Sequence, residues 1–238
     1  MTDVGWAWYP SLEMCDTSHL SLEFLTKKPD GTLLYNGPMT PPESEETLIT
    51  DFISLELEAG NPRLLIDFGS GTLELKIKPP RRLDDGDWHR LDIFWDTENV
   101  RMVLDVCRFA PIHEPEDGSA ALFNTTLCEA KGQVPPFNEY LDVNAPLQIG
   151  GVSHAALDPT HFRWNHVPHG KGFSGCIRNF IHNSKVLSDS MAFVPCQIDG
   201  QLHPSFRFFN WLDSEFADLR SGGTGDVASK STRMRSAR

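Results

Sequence analysis

The run Asp85-Gly86-Asp87-Trp88-His89-Arg90-Leu91-Asp92-Ile93-Phe94-Trp95 constrains the fold more than any other stretch of the chain. Asp85-Gly86 supplies a turn, after which Leu91, Ile93 and Trp95 alternate with Arg90, Asp92 and Asp96. Successive side chains of a strand face opposite ways, so a turn released into a period of two predicts a half-buried β-strand.

The same grammar recurs along the chain. Residues 19–26 alternate Leu20, Leu22 and Phe24 with Ser21, Glu23 and Leu25, and residues 32–36 follow a Pro29-Asp30-Gly31 turn. Residues 51–58 set Ile53, Leu55 and Leu57 against Ser54, Glu56 and Glu58. Residues 63–68 and 72–78 are joined by Gly69-Ser70-Gly71, a hairpin connection. In 100–107 the residues Val100, Met102, Leu104 and Val106 are expected to point inward, and 146–150 and 172–182 read as late strands. No segment before residue 200 sustains an apolar period of 3.6. Short strands separated by Gly, Pro, Asn and Asp predict an all-β sandwich of two antiparallel sheets. Residues 108–145 read as a loop-rich insertion and 153–171 as a His- and aromatic-rich surface loop. From Ser221 onward Gly, Ser, Thr and Arg dominate, which predicts disorder.

Charge narrows the partners. The formal net charge is −12, although the last nineteen residues are basic, so the body is more acidic than the total. Such a body argues against nucleic acid and suits divalent cations or a basic partner. No apolar run is long enough to span a bilayer, and no signal-peptide pattern stands at the N-terminus. Five cysteines at 15, 107, 128, 176 and 196 form no C-x-x-C pair, and Asn124-Thr125-Thr126 is an N-glycosylation sequon. Together these predict an extracellular module of a longer secreted or membrane-anchored chain. A Cys107–Cys128 bridge would staple the insertion, and Cys176 with Cys196 is a second expected pair. Cys15 is then left free, pairs elsewhere, or replaces one of these partners.

Six blocks, in order, carry a family resemblance. They are Leu33-Leu34-Tyr35-Asn36-Gly37, Asp51-Phe52-Ile53-Ser54-Leu55-Glu56-Leu57, Gly69-Ser70-Gly71-Thr72, Asp85-Gly86-Asp87-Trp88-His89, Leu147-Gln148-Ile149-Gly150-Gly151 and Gly172-Phe173-Ser174-Gly175-Cys176-Ile177-Arg178-Asn179. The chain thereby resembles a laminin G domain. Trp6-Ala7-Trp8-Tyr9-Pro10 and Pro135-Pro136-Phe137-Asn138-Glu139-Tyr140-Leu141 are similar to the laminin G region of non-vertebrate cadherins of the neural-cadherin type. The resemblance implies a concanavalin-like jelly-roll sandwich over residues 18–187, with a lead-in at 1–17 and a divergent tail at 188–238. It implies a non-enzymatic binding module in calcium-dependent cell–cell adhesion, at the extracellular face of the plasma membrane. Its partner is then a cell-surface protein or a neighbouring extracellular domain. The family also implies a cysteine closing the module after the Gly-Cys-Ile block, a role that falls to Cys196.

Many laminin G domains hold one Ca²⁺ at the sandwich rim. Carried onto this chain, the pattern gives Asp51 at a strand start, the Phe68 carbonyl before the Gly-Ser-Gly turn, and the loop at 142–144, with Asn144 as its ligand. Ca²⁺ takes several mixed oxygen ligands, so two or three from the protein imply modest affinity. Against this stands Asp51 as an ordinary solvated strand-start residue. Lys76, Lys78, Arg81 and Arg82 form a basic cluster suited to a sulfated glycan such as heparan sulfate, or simply solvated edge-strand charge. His161, His166 and His169 lie near Trp164, but their spacing fits neither a helix nor a strand face, which favours loop histidines over zinc ligands. His89 lacks a nucleophile motif. A jelly-roll glycosidase would need paired acids in register, and Glu56 and Glu58 have no third partner. Gly69-Ser70-Gly71 leads into a strand, so it is no phosphate loop.

Overall fold

Alternating apolar residues generate the strands in chain order. They are β1 (Ala7–Tyr9), β2 (Ser18–Thr26), β3 (Gly31–Asn36), β4 (Phe52–Glu58), β5 (Asn61–Asp67), β6 (Thr72–Lys76), β7 (His89–Trp95) and β8 (Asn99–Leu104), then β9 (Ile112–His113), β10 (Leu122–Phe123), β11 (Glu129–Gln133), β12 (Leu147–Ile149), β13 (Gly175–His182), β14 (Lys185–Val186), β15 (Gln197–Ile198) and β16 (Gln201–Leu202). The computed structural model describes residues 7–13, 17–39, 51–110, 112–113, 122–135, 141–143, 145–152, 162, 164–186, 197–198 and 201–202. Cys15, Asn144, His161, Cys196 and the tail from Ser221 lie outside the described residues.

Two six-stranded sheets carry the fold, in the orders β1-β12-β3-β4-β5-β6 and β11-β8-β7-β2-β13-β14. Neighbouring strands within both sheets are antiparallel. Every second residue of β2, β4 and β7 enters one shared core, including Leu20, Leu22, Ile53, Leu55, Leu91 and Ile93, all fully buried. Burying apolar area of this kind is the main favourable term in folding. This is the all-β sandwich of two antiparallel sheets expected from the alternation, in the jelly-roll form that the resemblance implied. The lead-in contributes to it: Ala7–Tyr9 pairs with β12 and Leu12 enters the core, so the first sheet begins before residue 18.

Several expectations fail. The span 108–145 is not all insertion, since β11 pairs along β8 as the edge strand of the second sheet. Val106 does not point inward. β8 stops at Leu104, and Asp105, Val106 and Cys107 all take positive φ (50°, 47° and 55°), which swings Val106 out to 64% exposure. A β-branched residue resists that conformation. Three ties hold the turn: Asp105 accepts from the Arg90 amide at 2.8 Å, its other oxygen meets His89 at 2.9 Å, and Cys107 is bonded to Cys128. The aromatic segment at 153–171 is not a surface loop where it is described. Phe162 and Trp164 are buried, and with Val152 they cover Tyr35, Phe52 and Leu65 on the outer face of the first sheet. Trp164 lies 4.2 Å from Phe52 and 4.4 Å from Phe162, ring centre to ring centre. Aromatic pairs at this spacing add to the area they bury.

Candidate binding rim

The rim is set by strand register. Phe52 pairs with Asp67, so Asp51, just before β4, and Phe68, just after β5, fall side by side at one end of the first sheet. The segment 141–143 arrives from far along the chain. Leu141 and Val143 are buried in the core, which leaves Asp142 between them exposed. The Asp142 amide donates to Asp51 Oδ2 at 2.8 Å. Ser11 Oγ donates to the Val143 carbonyl at 2.6 Å, and Asn36 Nδ2 to the Ala145 carbonyl at 2.7 Å. The loop near 142–144 thus meets Asp51, although Asn144 itself lies outside the described residues.

Asp67 shapes the adjoining turn. Its Oδ1 accepts from the Gly69 amide at 2.8 Å and its Oδ2 from Thr72 Oγ at 2.6 Å. Asp51 is 7% exposed. Burial pushes its carboxyl up to about 6; the Asp142 amide counters this, and the like charges of Asp142 and Asp67 add to it. A cation beside these oxygens would relieve both the burial and the repulsion. Among the described residues no three His, Cys, Asp or Glu side chains converge to hold a metal ion. A cation held there would draw on Asp51 together with backbone carbonyls and water. The loop that carries Asp142 was expected here from the resemblance, with Asn144 as its ligand, whereas Asp67 was not expected. Asp67 was signalled only by its place before Gly69-Ser70-Gly71, and Asp142 by nothing local.

The remaining candidates separate. Lys76 Nζ lies 2.8 Å from Glu58 and 3.3 Å from Glu74, while Arg82 grips Asp84 through two bonds of 2.9 and 2.6 Å. Among the described residues, Lys78 and Arg81 of the basic cluster stand outside such pairs. Cys107 and Cys128 are joined, and Cys176 is also disulfide-bonded. His169 Nε2 donates to the Leu57 carbonyl at 2.9 Å and Nδ1 accepts from the Lys171 amide at 3.0 Å, contacts that give the ring a structural role. Glu56 is fully buried, 2.6 Å from Arg63, and does not face solvent as its alternation suggested. His89 has a carboxylate on each ring nitrogen, Asp105 at 2.9 Å and Asp85 at 3.1 Å, so neither nitrogen is open to a substrate.

Comparison with known proteins agrees on one family. The family described as Laminin G domain matches residues 24–185. Drosophila melanogaster Neural-cadherin is 64% identical over 182 residues, covering 76% of this chain and 6% of that protein. Putative neural-cadherin 2 of the same organism is 61% identical over 181 residues, covering 76% and 10% respectively. The chain therefore spans a small part of the length of these relatives. Among solved structures, the LG1-3 region of the laminin alpha2 chain aligns with a TM-score of 0.51 at 21% identity, over 76% of this chain and 31% of that one, which supports the fold alone.

Proposed function

The chain belongs to the laminin G domain family, and from that premise we propose that it is an extracellular binding module of a cadherin-type adhesion receptor, with a calcium ion ordering its acidic rim. The family is one of binding modules rather than enzymes. The observation that carries the receptor reading is the 64% identity to Drosophila Neural-cadherin across 182 residues. Sequence kept at that level over both sheets supports a shared surface as well as a shared fold. Asp51 and the Phe68 carbonyl are the ligands favoured here, with Asn144 as the third expected ligand and the Asp142 amide bonded to Asp51. The ion would supply a fixed positive charge among carboxylates; the chain's part is to hold Asp51 against solvent and to keep Asp142 beside it.

Cysteine pairing supports an oxidising, extracellular setting at the outer face of the plasma membrane. The partner is then a cell-surface protein or an adjoining extracellular domain. A sulfated glycan is the weaker alternative, because Lys76 and Arg82 already meet acids of this chain. The test is binding of chain-coated beads to cells displaying a receptor of this type, in calcium and in chelator. Capture in calcium that is lost in chelator is expected. Equal capture by cells lacking any such receptor would remove the adhesion reading.

A further inference from the structure

We infer that Asn124 carries an N-linked oligosaccharide, held at the end of the sandwich opposite the acidic rim. The inference rests on the extracellular reading and adds to it a modification site and its orientation. Asn124-Thr125-Thr126 is the single Asn-x-Ser/Thr triplet in the 238 residues. Asn124 is exposed and caps the short 3-10 turn Thr125–Leu127. Its Oδ1 accepts from the Thr126 amide at 3.1 Å and from Thr126 Oγ at 2.6 Å. The oxygen end of the carboxamide is thereby turned to the protein and Nδ2 is left toward solvent, where a large polar substituent can be carried by the folded domain.

The chemistry is a glycosyl transfer. Nδ2 bonds to the anomeric carbon of a lipid-pyrophosphate-linked oligosaccharide; the bond from that carbon to the pyrophosphate oxygen breaks, the lipid pyrophosphate leaves, and one Nδ2 proton is released. No oxidant or reductant is needed.

Strand pairing gives the direction. The Leu104 amide donates to the Cys128 carbonyl at 2.8 Å, and the Val134 amide to the Glu98 carbonyl at 2.8 Å, so β11 runs along β8 from the disulfide end to the far end. At that far end Ser70 Oγ reaches the Pro135 carbonyl at 3.5 Å, and Ser70 belongs to the turn that Asp67 shapes. Sequon and rim are thus separated by the length of β11, roughly 17 Å at about 3.3 Å per residue. The sugar would cover the disulfide end, beside an edge strand that otherwise risks pairing with other chains, and leave the rim clear.

The experiment is secretion of the chain from insect cells behind a cleavable signal. The native protein is then treated with peptide-N-glycosidase and analysed by gel and by peptide mass. The expected result is a one-step gain in mobility with Asn124 converted to aspartate. The shift should be lost in Asn124→Gln and Thr126→Ala and kept in Thr126→Ser, which preserves the hydroxyl. An unshifted wild-type protein with an intact Cys107–Cys128 bond overturns the site and leaves the extracellular reading standing. An unshifted protein with free thiols overturns both. A calcium-induced rise in melting temperature that appears only after the sugar is removed overturns the orientation.

Discussion

His89 and Asp51 are both buried, and folding favours the protonated form of each, for different reasons. Burial pushes the His89 imidazolium down, but the Asp105 and Asp85 carboxylates outweigh it and hold its pKa above the ordinary histidine value. Both carboxyls are in turn held low: burial works against them, and His89 together with backbone amides more than offsets it. A raised histidine contributes stability that is fully present below its unfolded pKa of about 6.5 and is lost as pH rises through the folded value. The lowered carboxyls contribute stability present above about 3.9 and lost as pH falls through their folded values. The clamp is thus strongest between about pH 4 and 6.5. In urea melts the gap between the wild type and His89→Gln should narrow from pH 6 to pH 9. His89→Ala should cost about 2–4 kcal/mol at pH 6, because Asp105 stays buried with a partner removed; a gap that stays flat from pH 5 to 9 contradicts the imidazolium clamp. Asp51 has the reverse sign for an acid. Its folded value of about 6 lies above the unfolded one. The stability this shift contributes is therefore fully present below about pH 4 and is lost as pH rises through about 6. At neutral pH the charge then costs on the order of 3 kcal/mol. Asp51→Asn should be more stable than the wild type at pH 7.5 in chelator, with the difference vanishing toward pH 4. Calcium should raise the melting temperature of the wild type alone. A less stable Asp51→Asn in chelator would show that the carboxylate is compensated by some other group.

Among the elements, the segment over the outer face of the first sheet departs furthest from its sequence pattern. Alternation in β4 correctly assigned Ile53, Leu55 and Leu57 to the core, yet it also sent Ser54 and Glu56 to solvent, and both are fully buried. A period of two reports which residues share a face; it does not report whether that face is covered. The covering residues Phe162 and Trp164 descend from an irregular segment with no period to read. Val106 failed differently, since its inward pattern continued past the point where tertiary ties bend the chain. The rim was half legible. Asp51 and Phe68 meet through the local β4–β5 register, whereas Asp142 arrives from 91 residues away. The covering segment is pinned by polar contacts as well: the His169 amide donates to Glu56 Oε2 at 3.1 Å, and Glu56 meets Arg63 at 2.6 Å. Trp164→Ala should therefore cost about 3–5 kcal/mol. Its local effect should be faster hydrogen exchange at the His169 and Lys171 amides, with protection in β2 and β7 falling only as far as global stability does. Loss of protection that begins in β2 would mean that the segment is integral to the main core and not a separately opening layer.

For the molecule as a whole, closure depends on a strand that comes late. β2 sits inside the second sheet, with β7 on one side and β13 on the other. Thr26 Oγ donates to the Ser174 carbonyl at 2.6 Å, and the His19 amide to Asn183 Oδ1 at 2.9 Å, across 148 and 164 residues. β13 and the segment before it also bring Phe180, Ile177 and Phe173 into the core that both sheets share. Contacts of such long range are formed only after the entropy of closing the chain has been met, so folding should take milliseconds to seconds. Early strands alone do not suffice. A fragment ending at Gly151 retains every strand of the first sheet, but it leaves β2 with an open edge and the core without those three side chains. It should show β-rich circular dichroism at most, with dye-accessible apolar surface and no cooperative thermal transition. Adding a peptide of residues 152–186 should restore the transition, because the first sheet then recovers its cover and the groove beside β2 its antiparallel partner in register. A sharp, reversible melt in the fragment alone would mean that the two sheets close without β13, and that the core does not depend on its last-arriving strand.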